Sequence, residues 1–272
     1  MHHQSQRQSQ QPSPYADALI ARLGRNRNPN SAMVEERSIK ITGASISHDR
    51  ATAIFDADTG DLPRFYAHIH ALLAGVFPSL RHPHMAAFVA EHAHTPIGSI
   101  GVGCDGPAVE VYVETNDGRI VSVGVGPNAA TSGGVGVGPN AATSGGSYAV
   151  INEWRDPMIR MRTFERLRAA LPRAAHDIMS QIVDAKTCTL AFERLHRDYA
   201  IMMHLCPMRG QMPLEGVAGP LCSLASLANH GEGRAAMRGW CAAKPGWVLS
   251  FLSLGVKHDG VLQMTVYGRA RR

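Results

Sequence analysis

Ser99-Ile-Gly-Val-Gly-Cys-Asp-Gly-Pro-Ala-Val-Glu-Val-Tyr112 and Ser253-Leu-Gly-Val-Lys-His-Asp-Gly-Val-Leu-Gln-Met-Thr-Val-Tyr267 are two versions of one unit. Each begins Ser, Ile or Leu, Gly, Val, passes two variable residues to Asp-Gly, and ends in Val-Tyr; the second carries one extra residue in its turn. Asp-Gly between alternating apolar residues is a strong hairpin signal, because the favoured two-residue turns need positive φ at their centre. Two further stretches carry strand chemistry around a polar turn. Ser38 to Phe55 is expected to turn at His48-Asp49-Arg50, and Thr187 to Leu205 at His196-Arg197-Asp198. Arg119 to Val125 and Tyr148 to Asn152 read as additional strands, giving eight to ten in all.

Helical periodicity falls between the hairpins. Leu62 to Phe77 places Phe65, Ile69, Leu72, Leu73 and Val76 at helical spacing, with Asp61 as N-cap and Pro63 in the first turn. Pro83 to His92 is a shorter helix. Met158 to Val183 is expected to break near Pro172, which cannot continue a helix. Leu214 to Ala228 and Gly233 to Ala243 form a broken pair around Asn229-His230-Gly231. The unit is therefore helix-strand-strand with a period near 60 residues. Consecutive hairpins make antiparallel neighbours, and one helix per pair covers only one face of the sheet. A sheet covered on one side must curl, and closure removes its edges. The expected fold is α+β, an antiparallel barrel or strongly curled sheet with helices on the outside.

Composition frames this architecture. The chain has 272 residues, 44% hydrophobic and 18% charged, enough for a substantial core. Residues 1–30 are rich in Gln, Ser and Arg and are expected to form a disordered tail, with a short helix at Tyr15 to Leu23. Residues 31–272 are expected to form a single repeat-built domain. Within it Val123 to Gly134, VGVGPNAATSGG, recurs letter for letter as Val135 to Gly146, the mark of a duplicated loop insertion at 123–146. No GK[ST] follows it, so it is not read as a phosphate loop. The N-terminus lacks the apolar core of a signal peptide, and no apolar run reaches membrane-spanning length. Five cysteines without CxxC spacing read as reduced thiols of a cytoplasmic protein. The net charge of +5 suits an anionic partner.

Alternation along the strands assigns faces. Val109, Val111 and Val113 oppose Glu110, Tyr112 and Glu114; Met264 and Val266 oppose Gln263, Thr265, Tyr267 and Arg269. Ile39 and Ile41 oppose Ser38, Lys40 and Thr42, and Ile201, Met203 and Leu205 oppose Met202 and His204. With helices over the apolar faces, the lumen receives Lys40, Glu110, Tyr112, His204, Gln263, Tyr267 and Arg269.

The motifs Ser99 to Tyr112 and Ser253 to Tyr267, with the spacing of the four hairpins from Ser38 to Tyr267, resemble the ABBA-type aromatic prenyltransferases, the PT-barrel family. The resemblance implies repeated αββα units around a lumen where an allylic diphosphate meets a small aromatic or peptide acceptor. It implies a prenyltransferase of secondary metabolism in a family where some members use Mg²⁺ and others need none. No cofactor is therefore required, Mg²⁺ is admissible, and no DDxxD-type metal cluster is present. For prenyl transfer, Lys40, Lys257 and Arg269 are the candidate diphosphate-binding cations, and Tyr112 and Tyr267 the shields of an allyl cation. Glu110, with His204 second, is the candidate catalytic proton acceptor.

Other readings compete. A non-catalytic barrel binding a small hydrophobic ligand needs no lumen cations. Cys222, placed near a helix start in Gly219-Pro-Leu-Cys-Ser, is a candidate hydrolase nucleophile, although Leu221, Leu224 and Leu227 around it read as core. The pairs His68/His70, His82/His84 and His92/His94 are spaced i, i+2 and point apart on a helix, so no metal site is assigned. Arg155, Arg162 and Arg166 give one helix face a basic character, diluted by Glu165, and nucleic-acid binding is not favoured.

Overall fold

Large apolar side chains recur at every second position of the strands and at helical spacing between them, and a computed structural model shows where those two periods meet. It describes residues 14–25, 33–56, 61–116, 120–126, 146–150, 157–195, 199–207 and 212–271. The strands are β1 (Met33–Ile41), β2 (Ile46–Asp56), β3 (Ile97–Asp105), β4 (Ala108–Thr115), β5 (Ile120–Val125), β6 (Gly146–Val150), β7 (Cys188–Leu195), β8 (Tyr199–Pro207), β9 (Met212–Pro213), β10 (Trp247–Lys257) and β11 (Leu262–Ala270). The helices are α1 (Pro14–Arg25), α2 (Leu62–Leu73), α3 (Pro83–Glu91), α4 (Pro157–Ala170), α5 (Arg173–Met179), α6 (Leu214–Ala228) and α7 (Gly233–Ala242).

Strands β1 to β8 pair in sequence, each antiparallel to the next. β8 then pairs with β10, β10 with β11, and β11 with β1, which closes a ten-stranded ring. The short β9 adds to the start of β10 at Val248 and Leu249. Closure leaves no long free edge in the ring. The fold is the antiparallel barrel with outer helices expected from the repeat.

Two apolar cores lie between barrel and helices. One joins α1 to α3 with the outer faces of β2 to β5, through Leu19, Ile69, Leu73, Phe77, Val102 and Val111. The other joins α4 to α7 with the outer faces of β1, β7, β8, β10 and β11, through Leu167, Met179, Leu221, Leu254, Met264 and Val266. Local chemistry sets the helix bounds. Asp61 caps α2, its carboxylate accepting the Arg64 N–H at 3.0 Å, and Pro63 occupies the first turn. The break at Pro172 separates α4 from α5. Helix α1 buries Ala16, Leu19 and Leu23, so this part of the 1–30 segment packs on the barrel.

One expected turn lies elsewhere. The first hairpin does not turn at His48-Asp49-Arg50 but at Thr42 to Ser45, where the Thr42 N–H donates to the Ser45 carbonyl at 2.9 Å and Thr42 Oγ1 accepts the Ser45 N–H at 3.0 Å. The polar triplet lies within β2 at a register shift: Ser38 pairs with Arg50, but Lys40 pairs with Ser47. A bulge and a turn place similar polar residues in sequence, which is why the triplet reads as a turn. The strand expected over Arg119 to Val125 is β5, so the first residues of the duplicated stretch, Val123 to Val125, belong to it. The tail residues 1–13, the third turn at 196–198 and most of the duplication lie outside the described residues. The second and fourth turns fall as expected, with Gly106 at φ 56 and Gly260 at φ 81.

The β10 ladder offers a direct comparison of its two faces. Leu254→Ala, at a fully buried position on the outer face, is expected to cost about 2–5 kcal/mol in urea unfolding. Lys257→Ala, at the half-exposed end of the same strand, should stay within about 0.5 kcal/mol of wild type.

Candidate active site in the barrel lumen

Because the apolar residues of each strand face the helices, the intervening positions face inward. They line a cavity of about 190 Å³ in the half of the barrel nearer the helical connections. Tyr112 (β4), Phe251 (β10) and Tyr267 (β11) supply aromatic faces, with His204 (β8) beside them. The Phe251 and Tyr267 rings meet edge-on at 6.4 Å between centroids, and His204 lies 6.1 Å from Tyr267. Ile54 and Ile120 add apolar wall; Glu36, Glu114, Thr52 and Ser99 add polar groups.

Two glycines make room for Tyr112. Gly101 is its cross-strand partner, and a Cβ there would stand 2.8 Å from Tyr112 Cδ2. A Cβ on Gly103 would stand 2.4 Å from the Tyr112 hydroxyl. The Gly-x-Gly of the first repeat is thus the imprint of a tyrosine laid across the inside of β3. In the second repeat, Gly255 faces Tyr199 and Met202 in the same manner.

The charged groups divide along the barrel axis. At the hairpin end, Arg50 Nη1 donates to Asp105 Oδ2, Arg50 Nε donates to Ser38 Oγ at 3.2 Å, and Ser47 Oγ donates to Asp105 Oδ1. Lys40 Nζ lies 4.0 Å from Asp105 Oδ2. Burial opposes the charge on Arg50, but Asp105, helped by Tyr267, Tyr112 and Glu110, more than offsets it and raises its pKa. Glu110, the residue chosen from sequence as proton acceptor, sits toward this end and accepts a hydrogen bond from Ser122 Oγ at 2.7 Å. Lys257 ends β10 at the same rim, and Gln263 receives the Tyr199 hydroxyl.

At the opposite end Glu36 is 5% exposed. Burial pushes its carboxyl above the usual glutamate value of 4.5, against the opposing influence of the Ser250 hydroxyl and the Arg269 guanidinium. Glu114 accepts a hydrogen bond from Ser99 Oγ at 2.8 Å. Of the residues named from sequence, Tyr112, His204 and Tyr267 line the cavity together; Lys40, Glu110 and Lys257 lie toward the hairpin end, and Arg269 beside Glu36.

Glu36, Arg50 and Phe251 were not singled out in the sequence. Arg50 was hidden by its assignment to a turn. Alternation beginning at Ser38 does not reach Glu36, because β1 starts five residues earlier, at Met33. Phe251 lies beyond a register shift at Leu249, which interrupts the alternation that would have placed it.

Cys222 requires a correction. It sits in the middle of α6, not at a helix start, and packs in the core outside the barrel. Burial raises its pKa despite Arg238 and Arg234, so it is not an activated thiol. All five cysteines are buried and none is in a disulfide. Of the basic helix face, Arg166 is held by Glu193 at 2.7 and 3.0 Å, and Arg155 lies outside the described residues. Among the described residues no helix is long and apolar enough to cross a membrane, and no three His, Cys, Asp or Glu side chains converge to hold a metal ion.

Two variants test this geometry. Gly103→Ala should displace Tyr112 and lower the unfolding midpoint while leaving the far-ultraviolet circular dichroism unchanged; an unaltered midpoint would mean that the ring relaxes freely. Glu36 binds its proton more tightly in the folded chain than in the unfolded one, so stability must fall as pH rises from about 4.5 through the raised folded value. Glu36→Gln should flatten that slope in melting curves taken across pH, whereas an unchanged slope would show that burial does not raise the carboxyl.

No protein-family model and no curated protein matches the chain in sequence. Among solved structures it is similar to 5-dimethylallyltryptophan synthase from Streptomyces coelicolor, with a TM-score of 0.51 and 12% identity over 86% of this chain and 80% of that one. NotF in complex with brevianamide F and DMSPP aligns at a TM-score of 0.46 and 12% identity, over 87% of this chain and 80% of that one. The closed ring of antiparallel strands with outer helices is the PT-barrel fold, shared with the first of these structures.

Proposed function

We propose that the protein transfers a prenyl group from an allylic diphosphate to a small aromatic or peptide acceptor inside the lumen. The observation that carries this reading is the lining of one cavity by three aromatic side chains, Tyr112, Phe251 and Tyr267, within a barrel that has cations at one end and a buried carboxyl at the other. The fold likeness to an enzyme named for dimethylallyl transfer supports it. The diphosphate would sit at the hairpin end near Lys40, Arg50 and Lys257, with its allylic chain directed into the aromatic cavity.

The allylic carbon–oxygen bond breaks with its electron pair going to the diphosphate, whose charge the cations stabilise. The aromatic faces shield the allylic cation from water. A carbon of the acceptor ring supplies the electron pair of the new bond, and the ring then loses a proton. In this reading Glu36 takes that proton, with His204 as the second candidate, because both line the cavity while Glu110 is turned to Ser122. A desolvated carboxylate is the stronger base. Arg269 contributes as the counter-charge beside Glu36 and not as a diphosphate ligand.

One observation favours a second reading, a barrel that binds a small hydrophobic ligand without chemistry. Asp105 already partners Arg50 and lies near Lys40, which reduces the charge available to a diphosphate.

Incubation with dimethylallyl or geranyl diphosphate and a panel of indoles, phenols and short aromatic peptides separates the two. Prenyl transfer gives an acceptor heavier by one prenyl group, detected by mass. No adduct, together with no binding of a non-hydrolysable diphosphate analogue, would overturn the reading in favour of a binding barrel. Lys40→Ala is expected to weaken the analogue by roughly 3- to 10-fold, in keeping with one partly exposed charge contact; unchanged affinity would remove Lys40 from the site.

A further inference from the structure

The charge of the cavity wall, distinct from that of the barrel as a whole, bears on what enters it. Its two acidic lining groups, Glu36 and Glu114, stand on β1 and β4, and no lysine or arginine is among the residues that line it. The nearby cations do not line this wall: Arg50 contacts Asp105 and Ser38 at the hairpin end, and Arg269 stands beside Glu36. The remaining titratable groups of the wall are Tyr112, Tyr267 and His204. Carboxylates next to the faces of Tyr112, Phe251 and Tyr267 form the combination that attracts an organic ammonium, through the negative ring faces and through direct charge. An anionic acceptor entering the same space would meet Glu114 with no lysine or arginine on the cavity wall, which penalises it.

Size narrows the class further. At about 190 Å³ the cavity is below the range of about 300–1,000 Å³ usual for small-molecule sites. It suits a compact aromatic ring with a short arm, not a large polycyclic or extended peptide.

Resting on the prenyl-transfer reading, we infer that the acceptor is a small aromatic amine, bound as its ammonium form with the charged arm at Glu114 and the ring among Tyr112, Phe251 and Tyr267. Glu114 is suited to this contact. Ser99 Oγ holds one of its oxygens at 2.8 Å, which fixes the carboxylate and leaves the other oxygen to the ligand. Glu36, on β1, keeps the proton transfer assigned to it above. The acceptor is thus specified by the sign of its side arm: tryptamine- or tyramine-like molecules are selected, and the corresponding aryl-propionates are rejected.

The test is a binding measurement that does not depend on turnover. Tryptamine, tyramine, indole-3-propionate and 3-(4-hydroxyphenyl)propionate are titrated into the full-length protein by calorimetry, with and without a diphosphate analogue. The amines are expected to bind on the order of tenfold more tightly than the acids of matching ring. Glu114→Gln should abolish that preference while leaving the melting temperature within a few degrees of wild type, and Glu114→Asp should retain part of it. Equal affinity for amine and acid, preference for the acids, or a preference that survives Glu114→Gln would overturn the inference. Adduct formation is scored separately. Amine-selective binding without any prenylated product would defeat the prenyl-transfer reading while leaving the cavity's ligand class intact; prenylation confined to anionic or neutral phenols would do the reverse.

Discussion

The antiparallel pairing of the first strand with the last, from Arg37 opposite Gly268 to Ile41 opposite Met264, is the contact on which the rest of the structure depends. It converts a curled sheet into a ring. Once the ring is closed, each strand has one face toward the helices and one toward an interior that no helix enters, and the period-two pattern becomes a radial division of the molecule. Ile39, Ile41, Met264 and Val266 then belong to an outer core, while Ser38, Lys40, Thr265 and Tyr267, their immediate neighbours in sequence, face inward. Without that pairing, Glu36 and Tyr267 would lie at two open edges instead of on adjoining walls of one cavity.

The lumen that results is graded along its axis. Arginine, lysine and aspartate hold one another at the hairpin end, aromatic rings occupy the middle, and carboxyl groups sit nearer the helical connections. Each buried charge needs a partner, since an unpartnered one is costly in a low-dielectric interior. Arg50 meets this through Asp105 and Ser38, whereas Glu36 meets it through an upward-shifted pKa beside Arg269. These are two different answers to one electrostatic problem, and they put a fixed cation and a titratable acid at opposite ends of the same space.

The fold was largely legible because its signals are local. Asp105-Gly106 and Asp259-Gly260 announce their turns, Asp61 and Pro63 announce α2, and Pro172 breaks a helix where it stands. The side of the sheet to which Val109, Val111 and Val113 turn follows from alternation and helix placement alone. The lumen was legible only where alternation ran unbroken, as it does through Tyr112, His204 and Tyr267. Bulges at Ser38 to Lys40 and at Leu249 to Phe251 shift the register without leaving a sequence mark distinct from a turn or an ordinary strand. Arg50 and Phe251 fell into those gaps. The axial position of Glu110, level with Gly103 and not with Gly101, depends on how far each strand slides against its neighbour, which no single strand encodes.

The two cores draw on the chain unequally. One is assembled from residues lying between Ala16 and Val125, whereas the other takes Ile39 and Ile41 from β1 and its remaining members from Phe164 onward. A nascent chain can therefore collapse its first half while β1 still presents an unpaired edge, with two isoleucines lacking their core partners. That edge is covered only when β11, ending at Ala270, leaves the ribosome. Non-local pairings of this kind are slow to form, and an uncovered strand is a template for other chains. The cost of a closed ring thus falls on biosynthesis: the interval between making the first strand and making the last is when an uncovered edge is exposed to aggregation.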